Sequence, residues 1–247
     1  MGKARGVCRL CEEERELQKS HYIPAALYAS KKHLEFATRV STGVVDEHMR
    51  VPLLCHDCEG LFDKNGEDEV LRRIAPKSLK YFPLHEKLSL ALAREEWPEY
   101  SRFSGQDLGI DTDKFAYFAL SIVWRGAVHD WTMFDGSIRP RDELGDFVSP
   151  IRDYLLQRAP LPPDTVVIVM VLSNDQARKI FTTPVIHVEM NCLNFRFFTR
   201  GVLFRVMMGR HMPSYFRNRC CTSPRKCLFY GSARHRMEEV MAIFDKE

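Results

Sequence analysis

The chain contains two Cys-x-x-Cys pairs, Cys8-Arg9-Leu10-Cys11 and, 43 residues further on, Cys55-His56-Asp57-Cys58. The second pair lies within Leu53-Leu54-Cys55-His56-Asp57-Cys58-Glu59, and the tripeptide Ser20-His21-Tyr22 lies between the two pairs. A spacing of two residues lets both sulfurs of a pair reach one metal ion, and four thiolates complete a tetrahedral zinc site. The pattern therefore predicts one structural Zn²⁺, bound by Cys8, Cys11, Cys55 and Cys58.

The elements predicted around these pairs suit a small zinc module. Leu17 to Ile23 reads as a strand that Pro24 ends, and a helix is predicted from Cys58 onward. Strand, knuckle and helix in this order favour a treble-clef (ββα) arrangement. The second cysteine pair would then lie at a helix N-terminus, where the helix dipole stabilises thiolates. Residues 1–75 are assigned to this module.

Residues 76–247 are predicted to form a second, α+β domain. Helical patterns fall within residues 85–160, including His85–Glu96, the strongly apolar segment after Asp111, and Glu143–Ala159. Strands are expected within 164–208, with a hairpin around Gly201, and a closing helix within 236–245. Residues 209–234 are predicted to be irregular. A zinc module, then helices, then strands indicate the α+β class with a mainly antiparallel C-terminal sheet.

Composition limits the classes of protein to consider. Of 247 residues, 45% are hydrophobic and 28% charged, which is ordinary for a globular protein. No apolar run approaches the length of about eighteen residues that a membrane span needs. The basic N-terminus has no apolar segment behind it that could serve as a secretory signal. The eight cysteines are therefore expected in a reducing, cytoplasmic setting, where Cys-x-x-Cys pairs bind metal.

Positive charge is concentrated near the C-terminus. The net charge is +3 overall, but residues 192–247 carry 11 basic and 4 acidic groups. This asymmetry favours DNA or RNA as a partner, with Arg196, Arg200 and Arg205 as phosphate contacts. The alternative is a solvated sheet face with aromatic residues on its inner side, because strand alternation alone produces such a pattern. The aromatic residues in question, also candidates for base stacking, are Phe195, Phe197, Phe198, Tyr215 and Phe216.

The motifs of the zinc module resemble those of the HNH (His-Me finger) endonucleases that carry zinc knuckles. The resemblance covers roughly residues 5–65 and rests on the two cysteine pairs, Ser20-His21-Tyr22-Ile23-Pro24 and the Leu-Leu-Cys-x-x-Cys-Glu run that ends at Glu59. It implies a metal-dependent nuclease in which His21 is the general base and the cysteines bind structural zinc. It also implies a second divalent ion, Mg²⁺ or Mn²⁺, at the position of Glu59.

Three positions depart from the family pattern. Ser20 stands where the family has a metal-binding aspartate, Arg50 where it has an asparagine, and Glu59 where it has a histidine. A glutamate suits a hard cation, and an arginine suits a phosphate, so Arg50 joins the candidate nucleic-acid contacts. The alternative readings are a structural His21 and a Glu59 that is merely favourable in the first turn of a helix.

Two functions follow as expectations. The first is an HNH-like nuclease. The second is a non-catalytic zinc module that binds nucleic acid or a protein partner, including a partner within a bacterial defence or mobile-element system. The remaining cysteines near the C-terminus, Cys220, Cys221 and Cys227, match no standard metal spacing and are expected to be free thiols.

Overall fold

The computed structural model describes residues 4–28, 35–37, 42–44, 49–75, 82–133, 136–173 and 176–231. It confirms the mixed α+β class. The strands are β1 (Arg5–Val7), β2 (Glu14–His21), β3 (Glu35–Ala37), β4 (Thr42–Val44), β5 (Arg50–Cys55), β6 (Glu95–Glu96), β7 (Tyr100–Ser104), β8 (Trp131–Thr132), β9 (Ile138–Arg139), β10 (Thr165–Leu172), β11 (Ile180–Thr182), β12 (Val185–Glu189), β13 (Cys192–Thr199), β14 (Val202–Met208) and β15 (Cys227–Gly231). The helices are α1 (His56–Phe62), α2 (Asp68–Ile74), α3 (Pro83–Leu90), α4 (Thr112–Val128), α5 (Val148–Leu155) and α6 (Ser214–Asn218). A π-helical turn, Asp63–Glu67, joins α1 to α2.

Three sheets organise the strands. A small antiparallel sheet has the order β1-β2-β5, and β8 pairs with β9. The large sheet has the order β4-β3-β11-β13-β14-β10-β15-β7-β6, with β12 also paired to β13. Its pairs are antiparallel except for β10 with β15 and β11 with β3. The predicted, mainly antiparallel C-terminal sheet is therefore confirmed.

Helix α4 lies in the centre of the core. Its N-terminus is capped by the Asp111 carboxylate, which accepts hydrogen bonds from the backbone N–H groups of Asp113 and Lys114. The helix packs against β10 and β14, and the rings of Phe115 and Phe118 contact Phe204 on the sheet. Buried side chains surround most of α4, which explains why its sequence is apolar on nearly every face.

Strand β10 is apolar on both faces because both faces of the sheet are covered. Val167 and Val169 belong to the main core beside α4. Met170 and Leu172 belong to a second cluster on the opposite face, with Phe229 of β15. The strands expected within 164–208 are thus confirmed, as is the hairpin around Gly201, where Arg200 and Gly201 form the turn with positive φ values of 49° and 79°.

Two predictions of local structure are wrong. The helix predicted over His85–Glu96 ends at Leu90, because Ala91 is extended, and Glu95 instead pairs across β6 and β7 with Arg102. The segment predicted to be irregular contains α6 and β15, and the apolar run Cys227-Leu228-Phe229-Tyr230 is the signal that indicates β15. The closing helix predicted within 236–245 lies outside the described residues.

The division of the chain at residue 75 stays a prediction. Strands β3 and β4 fall within the first segment yet extend the large sheet through β11. The main core likewise contains Cys8 and Phe62 from the first segment together with Trp124 from the second. Among the described residues, no helix combines the length and the apolar character that crossing a membrane requires.

Candidate metal centre and its surroundings

Four cysteines converge at one end of the small sheet. The sulfurs of Cys8, Cys11, Cys55 and Cys58 all lie within 4.8 Å of one another. Cys11 is partly exposed and the other three are buried. This donor set fits Zn²⁺, because structural zinc sites have four protein ligands, often thiolates, in a tetrahedral arrangement. The predicted zinc ligands are therefore brought together by the fold.

Local structure delivers the two pairs to the same point. Cys8 begins the turn between β1 and β2, where the Cys8 N–H donates to the carbonyl of Glu13 and Glu12 adopts a positive φ of 63°. Cys55 ends β5, and Cys58 lies in the first turn of α1, which follows without a loop. The backbone N–H of Cys55 donates to the Cys8 sulfur at 3.3 Å. The arrangement is the knuckle, hairpin and helix that the sequence predicts.

Contacts among the cysteine thiols, together with burial, shift their pKa values. The pKa of Cys8 is lowered to about 4, chiefly because its sulfur accepts a hydrogen bond from the Cys58 thiol, with backbone hydrogen bonds acting in the same direction against burial. The same hydrogen bond, followed by burial, raises the pKa of Cys58. Burial also raises the pKa of Cys11. Binding of a divalent cation replaces such protons with metal–sulfur bonds and releases them to solvent.

Ser20 has a structural role in the module. Pro52 in β5 offers no N–H group, and the register between β2 and β5 shifts between Gln18 and Lys19. The backbone N–H of Leu54 beside this irregularity donates to the Ser20 hydroxyl at 3.0 Å. Ser20 is buried. The position at which the resemblance implies a metal-binding aspartate therefore holds a hydroxyl that completes the hydrogen bonding of the sheet.

His21 and Arg50 lie opposite each other at the far end of the same pair of strands. They are cross-strand partners, His21 as the last residue of β2 and Arg50 as the first of β5. His21 is half-buried and Arg50 is exposed. His56, at the start of α1, is exposed as well. An imidazole and a guanidinium thus lie side by side at this edge of the small sheet.

Glu59 faces the buried Arg125, a neighbour that the sequence does not predict. Arg125 of α4 donates from Nη2 to Glu67 Oε1 at 2.7 Å, and the same nitrogen lies 3.9 Å from Glu59 Oε2. The guanidinium carbon lies 4.6 Å from the ring centre of Phe62. Within the described part of the chain, Glu59 Oε1 and the Nε and Nη1 atoms of Arg125 are buried without a hydrogen-bond partner.

Two carboxyl groups near Arg125, those of Glu67 and Asp63, have raised pKa values. Burial raises the pKa of Glu67, and the positive charge of Arg125 opposes that rise. Burial, and then the negative charge of Glu59, raise the pKa of Asp63. Among the described residues, the four cysteines are the one group of three or more Cys, His, Asp or Glu side chains whose ligand atoms converge. A hard cation at Glu59 would therefore depend on water and phosphate for most of its ligands, as Mg²⁺ commonly does.

The C-terminal arginines are engaged with the protein itself. Arg196 and Arg205 are cross-strand neighbours, and each donates to Glu189 Oε2 at 2.7 Å. Arg200 is buried and donates to the carbonyl of Leu27, and burial lowers its pKa to about 10. The phosphate contacts predicted for these arginines stay predictions, although the hairpin turn directs Arg200 inward.

The aromatic residues near these arginines divide between core and surface. Phe195, Phe197 and Phe198 are all buried. Phe195 and Phe197 face the main core as strand alternation predicts, whereas Phe198 belongs to the second cluster on the opposite face of the sheet. Tyr215 is 47% exposed. Cys220, Cys221 and Cys227 are buried thiols below this surface. Of these five aromatic residues, Tyr215 and Phe216 of α6 are therefore the ones placed to contact a ligand.

Comparison of the chain with models of known protein families, with curated proteins and with solved structures finds no match.

Proposed function

We propose that the chain is a metal-dependent nuclease in which the zinc module presents His21 and Glu59 to a phosphodiester. The observation that carries the proposal is that His21 and Glu59 both lie on elements of the module that the cysteine cluster organises. The cluster ties the turn between β1 and β2 and the end of β5 to α1. Helix α1 carries Glu59 and packs against β2, the strand that ends at His21. Glu59 also has a buried carboxylate oxygen, Oε1, without a hydrogen-bond partner among the described residues, as expected of an atom that awaits a cation or water.

Each residue has a distinct role in this proposal. The neutral imidazole of His21 accepts a proton from the attacking water. Glu59 contributes an oxygen ligand to Mg²⁺ or Mn²⁺, which when bound would stabilise negative charge on the phosphate. Arg50, exposed opposite His21 on the neighbouring strand, would hold a phosphate of the DNA or RNA.

A second candidate function is a non-catalytic zinc module that binds nucleic acid or a protein partner. Two observations favour it. The hydroxyl of Ser20 is already occupied by the Leu54 N–H. Arg125 lies 3.9 Å from Glu59 and so partly neutralises the proposed metal ligand. Both features reduce the attraction of this site for a cation.

A cleavage assay separates the two functions. Purified zinc-loaded protein is incubated with supercoiled plasmid and with single-stranded oligonucleotides, in Mg²⁺ or Mn²⁺, beside His21→Ala, Glu59→Gln and His56→Ala proteins. We expect metal-dependent cutting that His21→Ala reduces about 10²- to 10⁴-fold, the usual contribution of a general base. Glu59→Gln weakens metal activation, and His56→Ala, which alters an exposed neighbour, leaves cutting unchanged.

The opposite result is equally clear. Absence of cutting by the wild-type protein, with retarded migration of nucleic acid in a low-salt gel, supports the binding module and rejects the nuclease. Low salt is needed because phosphate contacts weaken steeply as salt rises.

A further inference from the structure

A small aromatic cavity lies on the outer face of the large sheet, beneath α6. It has a volume of about 110 Å³, room for one planar ring. Its floor is the apolar sheet surface formed by Ile168, Met170 and Phe229, and Tyr215 and Phe216 of α6 form a wall. Arg205 and Arg219 also line it.

The walls of the cavity are held in place by stacking contacts. The guanidinium carbon of Arg219 lies 4.6 Å from the ring centre of Tyr215 and 5.4 Å from that of Trp97. Arg205 lies 5.1 Å from the ring centre of Phe216. The hydroxyl groups of Tyr100 and Tyr215 are 3.3 Å apart. Rings and guanidinium planes thus alternate around the cavity, and both kinds of surface stack on nucleobases.

Positive charge exceeds negative charge beside the cavity. Glu95 forms ion pairs with Arg102 at 2.6 Å and with Arg219 at 3.4 Å. Its pKa is lowered, chiefly by the hydrogen bond from Arg102 and further by the charges of Arg102, Arg219 and the exposed Arg225. Three arginines therefore face a single carboxylate, and the excess charge suits an anionic ligand.

We infer that this cavity, formed by Tyr100, Tyr215, Phe216, Arg205, Arg219 and the sheet beneath, binds one unpaired base of a single-stranded nucleic acid. The inference names the substrate class of the nuclease proposed above and rests on that function. The base lies against the ring of Tyr215, and the flanking phosphate lies near Arg219 and Arg225. A duplex does not fit, because its bases are stacked on one another and unavailable to a side chain. A proline-rich peptide, the other usual occupant of aromatic grooves, lacks the negative charge that these arginines favour.

The test measures binding separately from cleavage. The His21→Ala protein, zinc-loaded and without added Mg²⁺ or Mn²⁺, is titrated at low salt with fluorescently labelled oligo(dT), oligo(U), a duplex of equal length and a proline-rich peptide. We expect the single strands to bind more tightly than the duplex, with the preferred sugar given by the comparison of oligo(dT) with oligo(U). Tyr215→Ala weakens binding about 5- to 150-fold, the range for one lost base–aromatic stack.

Two matched variants test whether a loss of affinity comes from misfolding. Tyr215→Phe keeps the ring and retains most of the affinity. Leu92→Ala, which truncates a 96% exposed side chain that does not line the cavity, leaves affinity unchanged. The inference is overturned by equal binding of duplex and single strand, by unchanged affinity of Tyr215→Ala, by no binding, or by binding of the peptide instead. Tyr215-dependent binding without any cleavage by the wild-type protein would keep the base site and reject the nuclease.

Discussion

The Nη2 atom of Arg125 lies 2.7 Å from Glu67 Oε1, and this buried ion pair joins the central helix α4 to the π-helical turn that follows α1. The same guanidinium contacts the ring of Phe62, which also packs edge-on against Trp124. The helix that completes the cysteine cluster is therefore joined to the core by the packing of Phe62 and, at the turn that follows it, by this ion pair.

Removal of Arg125 alone should be costly. Arg125→Met leaves Glu67 buried without its partner, and loss of one member of a buried pair costs about 3–5 kcal/mol of unfolding free energy. The double variant Arg125→Met/Glu67→Leu should recover much of this loss, because neither charge is then buried. Urea unfolding measures both. The control is Arg72→Met, which removes a mostly exposed partner of Glu69 and should cost less than about 1 kcal/mol. A double variant no more stable than the single one contradicts this account.

Ser20→Ala tests the role of the hydroxyl at the irregular pairing of β2 and β5. The buried N–H of Leu54 then loses its acceptor, at a cost of about 1–3 kcal/mol. Ser89→Ala is a suitable control, because Ser89 bonds the carbonyl of Glu86 at an exposed position in α3. Equal stability of the two variants in thermal unfolding would show that Ser20 is not needed for the sheet.

Two helical glycines should respond to alanine in opposite directions. A Cβ at Gly60 in α1 meets no atom within 4 Å, so Gly60→Ala should stabilise the protein by about 0.5–1 kcal/mol through helix propensity. A Cβ at Gly126 in α4 would lie 2.6 Å from the Tyr22 hydroxyl and would also collide with Asp142. Gly126→Ala should therefore destabilise by about 1–3 kcal/mol. Chemical denaturation of the pair decides the matter, and a stabilised Gly126→Ala would argue against this packing.

His129 should make stability depend on pH. Its pKa is lowered, first by burial and then by the positive charge of Arg9. In the unfolded chain the His129 imidazole titrates near pH 6.5. Between that pH and the lower, folded pKa, the unfolded state therefore binds a proton that the folded state does not. The contribution of His129 is therefore fully present above about pH 6.5 and is lost as pH falls through the lower, folded pKa. His129→Gln should lose less stability than the wild type between those values. Parallel losses in both proteins would contradict the prediction.

Regular patterns in the sequence predict the parts of this fold that local chemistry controls. The Cys-x-x-Cys spacing predicts the metal site, the apolar run predicts β10, and the glycine turn predicts the β13–β14 hairpin. Residues 209–218 carry no pattern of this kind, because α6 is held by its packing over the sheet rather than by helix propensity.

The candidate site was less predictable, because its decisive contacts are distant in sequence. Arg125 in α4 and His129 just after its end are four residues apart, a spacing that within a helix would place both side chains on one face. The structure instead turns Arg125 to Glu67 and places the His129 ring against Trp131 at 5.3 Å. Arg219 stacks on Tyr215, four residues earlier, but its second stacking partner, Trp97, lies in a distant segment. Such pairs become visible only when the strands are assembled.

Zinc content per chain tests the central claim most directly. Metal analysis of the purified protein should give one zinc atom per chain, bound by Cys8, Cys11, Cys55 and Cys58. Cys58→Ser should abolish this stoichiometric zinc, and Cys221→Ser, which alters a buried thiol elsewhere, should retain it, provided that both variants are recovered folded. A wild-type protein that folds without metal, or a Cys58→Ser protein that keeps its zinc, would contradict the account.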